Sequence, residues 1–172
     1  MNEVMPILKN LGTDTLPSPG DITKVISYGA GYLVVEAADG NKYKRSGGSL
    51  SWRNYNPGNL KFGDFAKKYG AIGPGYGQHS IFPNWKVGAE AQKALLFSDE
   101  RGYNTKSISE AIAKYAPASD GNSPKEYAAY VAKKLGVTKT TKLSDLSEKK
   151  KLKLVEVMTT YEGYKEGTVI KL

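Results

Sequence analysis

The chain has 172 residues, 40% of them hydrophobic and 24% charged, a globular balance that excludes disordered and fibrous classes and fits one main domain with a short N-terminal attachment. A formal charge of +8 implies attraction to an anionic partner, for which nucleic acid, anionic lipid and bacterial cell-wall polymer all qualify. With no cysteine and one histidine, His79, disulfide and thiolate chemistry are excluded and a zinc site would need carboxylates, so neither a metal nor a cofactor is expected.

The first 20 residues lack a basic start followed by an apolar run, and no stretch approaches the ~18 apolar residues of a membrane span. Membrane insertion is not expected, and passage across a membrane would need another carrier. "LPSPGD" reads as a linker or turn. "GYLVVEAADGNKYKR" then places two strand-like runs around Asp39-Gly40, a hairpin signal because both turn positions tolerate positive φ. Residues 21–48 are predicted as a small β element closed by "SGGS".

From Trp52 to Trp85 the density of Gly, Asn, Pro and aromatic residues predicts irregular, turn-rich structure. Helices follow. "NWKVGAEAQKALLFSDERG" has Val87, Ala91, Ala94 and Leu95 at helical spacing and a predicted end near Gly102. "SISEAIAKYAP" opens with Ser107 and Glu110 in capping-box relation and stops before Pro117. "NSPKEYAAYVAKKLG" offers Ser123 as N-cap, Pro124 at the first turn, Glu126 completing a box and Gly136 as C-cap. A last helix is predicted over 145–162, ending at Gly163, with the lysines of "KTTKLSDLSEKKKLK" on its solvated side. The predicted class is α+β, mainly α, with the β portion early.

The chemistry narrows by residue type. His79, in "GYGQHSIF", has no strand-turn-helix setting around it, so a nucleophilic triad is not expected. "GPGYG" lacks the lysine of a phosphate loop. A carboxylic acid remains as the common catalyst. Glu162 in "LVEVMTTYEGY" follows Val155, Met158 and Thr159 by seven, four and three residues, which puts it on the semi-apolar face of the last helix. Its place in the final turn favours a raised carboxyl pKa through the helix dipole and partial burial, although position alone leaves open a Glu that simply reaches solvent. Glu90 reads as a solvated helix acid, Asp99 and Glu100 as helix-end charges, and Glu36 and Asp39 as hairpin residues.

"WRNYNPGNLKFG" (52–63) resembles the "RNNNPGNL" motif of phage and secretion-associated peptidoglycan-cleaving proteins with a lysozyme-like fold. "GAIGPGYGQHSIFPNWKVGAEAQKALL", "SISEAIAKYAPASDGNSPKEYAAYVAKKLGV" and "LVEVMTTYEGY" resemble that family's later segments in the same order, so the resemblance covers about residues 51–164. It implies a lysozyme-like domain over 49–172, with residues 1–48 as an attachment or a fold-completing strand. It also implies cleavage between N-acetylmuramic acid and N-acetylglucosamine with Glu162 as general acid and base. Asn54, Asn56, Asn59, Tyr76, Gln78 and Tyr115 are the implied substrate-binding residues, and Glu90 and Asp120 are candidates for a second acid.

In several related wall hydrolases the Glu-Gly helix precedes the Asn-rich turn, and here it follows, which suggests a circular permutation. The sequence departs from the family at Tyr55, where an asparagine is usual, at Tyr115, where a tryptophan is usual, and around Asp120-Gly121-Asn122. No second carboxylate is paired with Glu162 in sequence, which tilts the expected reaction from hydrolysis toward a lytic transglycosylase. The implied partners are peptidoglycan and, through residues 1–48, other virion or secretion-apparatus proteins, with the protein virion-associated or delivered to the periplasm. Two further readings stand beside this one. The first is a non-catalytic wall-binding module gripping sugar with Trp52, Tyr76 and Trp85; the second is a basic nucleic-acid binder, for which no recognised motif is present.

Overall fold

The computed structural model describes residues 20–172. The fold is α+β with helix predominating, as the sequence predicts. It divides into two compact units. One holds the described part of Met1–Gln92 together with Glu162–Leu172; the other is Lys93–Tyr161. The expected boundary after residue 48 is therefore not where the chain divides, and the linker reading of residues before Gly20 lies outside the described residues.

In the first unit, β1 (Ile22–Gly29), β2 (Tyr32–Ala37) and β3 (Lys42–Ser46) run antiparallel. The predicted hairpin is present. Gly40 sits at φ +82, Asp39 Oδ1 accepts from the Asn41 amide at 2.9 Å, and the Tyr43 hydroxyl donates to Asp39 Oδ2. Period-2 alternation buries Leu33, Val35 and Ala37 on β2 and Tyr43 and Arg45 on β3. Helix α1 (Leu50–Arg53) is capped by Ser49, whose side chain accepts from the Trp52 amide. Helix α2 (Asp64–Lys68) and the small antiparallel pair β4 (Gly73–Pro74) and β5 (Ser80–Ile81) follow.

Helix α3 (Trp85–Phe97) starts where Asn84 Oδ1 accepts from the Val87 amide at 2.9 Å. Two glycines set how closely this helix meets the turn before it. A Cβ on Gly88 would lie 1.9 Å from the Tyr55 carbonyl oxygen, and one on Gly58 would lie 2.0 Å from Gln92 Oε1. Only hydrogen fits at either contact.

In the second unit the turn of α3 ends at Phe97, short of the predicted end near Gly102. The loop that replaces the last turn is held by Asn104 Nδ2 donating to Asp99 Oδ1. Helix α4 (Ile108–Tyr115) has its capping box: Ser107 Oγ accepts from the Glu110 amide while Glu110 accepts from the Ser107 amide. Helix α5 (Pro124–Leu135) ends on left-handed Gly136 as predicted, but Ser123 makes no side-chain capping bond, so the expected second box is absent. Pro124 at the first position has no N–H to cap and fixes the helical φ by itself. Helix α6 (Glu148–Tyr161) is shorter than the predicted 145–162 because residues 143–145 form a separate 3-10 turn. Ile108, Ile112, Val131, Leu135, Leu143, Leu154 and Met158 are buried in this unit, and the Tyr127 and Tyr161 rings stack at 4.0 Å.

The last strand, β6 (Thr168–Lys171), pairs antiparallel with β3 and completes a sheet of order β1-β2-β3-β6. The first and last described strands thus belong to one sheet, at its opposite edges, and described residues 20–48 form part of this unit. No helix of the described residues is long and apolar enough to cross a membrane.

Candidate functional site

The Asn-rich motif is a tight, buried structure rather than an open loop. Asn56 is fully buried; its Nδ2 donates to the carbonyls of Leu60 and Ser80, both at 3.0 Å, and its Oδ1 accepts from the Leu60 amide at 2.9 Å. One side chain thereby replaces three backbone partners that the irregular turn would otherwise leave empty. Asn54, 1% exposed, accepts the Phe82 amide on its carbonyl and reaches the His79 carbonyl with Nδ2 at 3.5 Å. The expectation that Asn54 and Asn56 face substrate is therefore corrected: they brace the turn, because satisfied amides in so buried a place have no surface to offer a sugar.

Asn59 differs. It sits at φ +49, and its Oδ1 is buried without a hydrogen-bond partner. Tyr55 also adopts a left-handed conformation, φ 52, which asparagine tolerates and an aromatic residue resists at a cost of about 1–2 kcal/mol. What holds it is Arg45, a residue for which strand alternation is the one sequence signal: it shares the inward face with Tyr43. The Arg45 guanidinium lies 4.2 Å from the Trp52 ring centroid and 4.1 Å from that of Tyr55. Its nitrogens donate to the Arg53 carbonyl at 3.0 Å, the Tyr55 hydroxyl at 3.0 Å and the Trp52 carbonyl at 2.8 Å. A sandwiched, multiply bonded arginine fixes both aromatic rings and the end of α1.

Glu162 stands immediately after α6, half-buried, followed by Gly163 in the left-handed conformation that ends a helix. The segment beyond it belongs to the same unit as the Asn turn. The Lys165 amide donates to Ser49 Oγ at 3.1 Å, and the Ser49 amide donates to the Lys165 carbonyl at 2.8 Å. Ser49 thus caps α1 and ties down the chain three residues past Glu162. The Tyr164 ring packs on Trp85 at 5.2 Å. Ser49, between β3 and α1, and strand β3 itself thus receive the chain that follows Glu162.

The remaining predicted residues scatter. Tyr76 is 47% exposed and begins the 3-10 turn Tyr76–Gln78. Gln78 is exposed at φ 65, a turn residue whose carbonyl accepts from the Phe62 amide. The His79 pKa is lowered, first by burial and then by nearby Lys61, against a hydrogen bond with the Tyr76 carbonyl. Glu90 is exposed along α3. Tyr115, edge-on to Tyr103 at 6.5 Å, and exposed Asp120 belong to the second unit. Trp52 and Trp85 are buried, 5% and 4% exposed, so neither offers the sugar-gripping face expected of a binding module.

One acid escaped the sequence reading. Glu156, in the middle of α6, is 1% exposed, and neither carboxylate oxygen has a hydrogen-bond partner. Burial raises its pKa to about 7, with Lys153 opposing. Helical spacing puts Glu156 opposite the arc formed by Leu154, Val155, Val157 and Met158, so no periodicity in the sequence marked it as buried. Among the described residues no group of His, Asp and Glu is arranged to hold a metal ion. Compared with known proteins, the chain matches no family model and no curated sequence.

Proposed function

We propose that the protein is a lysozyme-like, peptidoglycan-cleaving glycosidase that uses Glu162 as its single general acid and base at the bond between N-acetylmuramic acid and N-acetylglucosamine. The observation that carries the reading is the pair of hydrogen bonds between Ser49 and Lys165. They tie the segment that follows Glu162-Gly163 to the cap of α1, which opens the Asn-rich motif. Support also comes from Glu162's half-burial just after a helix and from exposed Tyr76, which belongs to the same unit.

In the proposed reaction Glu162 protonates the glycosidic oxygen as the bond to the muramic acid C1 breaks. The carboxylate then accepts the proton of that sugar's own C6 hydroxyl as its oxygen attacks C1, which yields an anhydro end and restores the acid. A single carboxylic acid suffices for both steps. Glu90 and Asp120, exposed and unaccompanied, are weak candidates for the second carboxylate that hydrolysis would use. We place the activity at the bacterial wall, carried by a phage particle or secretion apparatus.

Glu162→Gln is expected to slow clearing of purified sacculi in a zymogram by about 100-fold or more. Undiminished lysis by the variant overturns the assignment, and absence of lysis by both proteins indicates a non-catalytic wall-binding module. Mass spectrometry of the released fragments separates anhydro ends, from transglycosylation, from reducing ends, from hydrolysis.

A further inference from the structure

Arg53, the arginine that opens the Asn motif, is 7% exposed. Its Nη1 donates to the carbonyls of Gly47 and Gly48, both at 2.9 Å. Nε is buried without a partner, whereas Nη2 is neither hydrogen-bonded nor sealed from solvent. No acid offsets this charge: burial alone acts on the guanidinium, lowering its pKa. A cation so placed is under-solvated, and a buried arginine ordinarily has a carboxylate or phosphate on its fork.

The surroundings are built to hold it in place. Gly47 and Gly48 take consecutive left-handed conformations, φ 67 and 62, which turns both carbonyls onto Nη1. A Cβ on Gly48 would lie 2.5 Å from the Lys165 carbonyl oxygen and 2.6 Å from the Gly167 amide nitrogen. The Gly-Gly loop is thus wedged against the segment that follows Glu162. An arginine pinned by one nitrogen and open at another presents a fixed positive donor beside that segment.

We infer that Arg53 is an anion anchor that takes a substrate carboxylate on Nη2. The carboxylate supplies the counter-charge the fold leaves out, and it makes Arg53 a substrate-positioning contact rather than part of the reacting centre. Naming the ligand as a wall carboxylate rests on the wall-cleaving reading; the existence of the anion site does not. Two sources present the same chemistry: the free lactyl group of N-acetylmuramic acid in denuded strands, and the acidic groups of attached stem peptides.

The test is a titration of the wild-type protein followed by the Arg53 Nε–Hε resonance, which needs no catalysis. N-acetylmuramic acid and a muramyl dipeptide are the two carboxylate arms, and N-acetylglucosamine is the neutral control. A saturable shift with either carboxylate arm and none with the control is expected, the responding arm identifying the source; no shift with either, or an equal shift with the control, overturns the inference. Should wall lysis survive Glu162→Gln while the resonance still shifts, the catalytic reading falls and the anion site stands. In the enzyme assay, Arg53→Gln is expected to raise KM for native sacculi about tenfold with little change in kcat. On sacculi whose peptide carboxylates have been amidated, wild type and variant are expected to be alike if stem peptides are the source. A stably folded variant with unchanged KM on native and denuded strands, or a loss falling equally on carboxylate and neutral substrates, overturns the inference.

Discussion

Asn56 in the Asn-rich turn and Glu156 in helix α6 are buried to the same depth and are met in opposite ways. In the turn, Asn56 meets three backbone groups at 2.9–3.0 Å, so its burial is compensated and its geometry fixed. In the helix, Glu156 is buried with both oxygens unpartnered, so its burial is a standing cost. The difference lies in what the backbone offers. An irregular turn exposes amides and carbonyls that a side-chain amide can satisfy. In a helix interior the carbonyls can still take a hydroxyl, as Val155 does from Thr159 at 2.8 Å, but the N–H groups a carboxylate needs are already engaged in the i→i−4 ladder. Buried polarity therefore stiffens the first region and makes the second sensitive to pH.

The sharpest way to break the contrast is Asn56→Ala. It strands the carbonyls of Leu60 and Ser80 and the Leu60 amide, and a loss of about 4 kcal/mol in unfolding free energy is expected in urea denaturation. A loss under 1 kcal/mol would mean that water takes over the turn's hydrogen bonds.

Glu156→Gln tests the other side. Because the folded-state pKa of Glu156 is raised from 4.5 to about 7, the native protein holds a proton that the unfolded chain releases. The contribution of this group is therefore most favourable below about pH 4.5, falls as pH rises from there to about 7, and is fully unfavourable above. That penalty is at most about 3 kcal/mol. The variant is expected to be more stable than wild type at pH 8 and to lose the advantage near pH 4.5, as read from thermal melts across that range. A wild-type to variant difference that is flat with pH would show that Glu156 keeps an ordinary carboxyl pKa.

Tyr76→Ala is the smallest change, and it separates surface from frame. Exposed and outside both networks, Tyr76 is expected to leave stability within about 0.5 kcal/mol, while affinity for insoluble wall material drops a few-fold in a pull-down. A large loss of stability would place the residue in the frame with Asn56.

Much of the frame was legible in advance. The Asp39-Gly40 hairpin, the Ser107–Glu110 box and the glycine ends at Gly136 and Gly163 each depend on residues within a few positions, so local chemistry decides them. The Ser123 box did not form, and Pro124 at the first helical position is the one start signal there that holds. The site was legible as a motif but not as roles. Asn54 and Asn56 carry the polarity expected of a sugar wall, and only burial reveals them as braces.

What the sequence determined by itself is therefore the class, the order of elements and the two motifs that draw attention to Glu162. Tertiary structure decided the rest. Pairing of β3 with β6 and of Ser49 with Lys165 joins positions more than a hundred residues apart, and no local propensity encodes that. The packing of Arg45 between Trp52 and Tyr55, the open Nη2 of Arg53 and the unpaired acid of Glu156 depend on which neighbours surround a side chain. Hydrogen-bond satisfaction and desolvation are set by that surrounding shell, which exists only once the chain has folded.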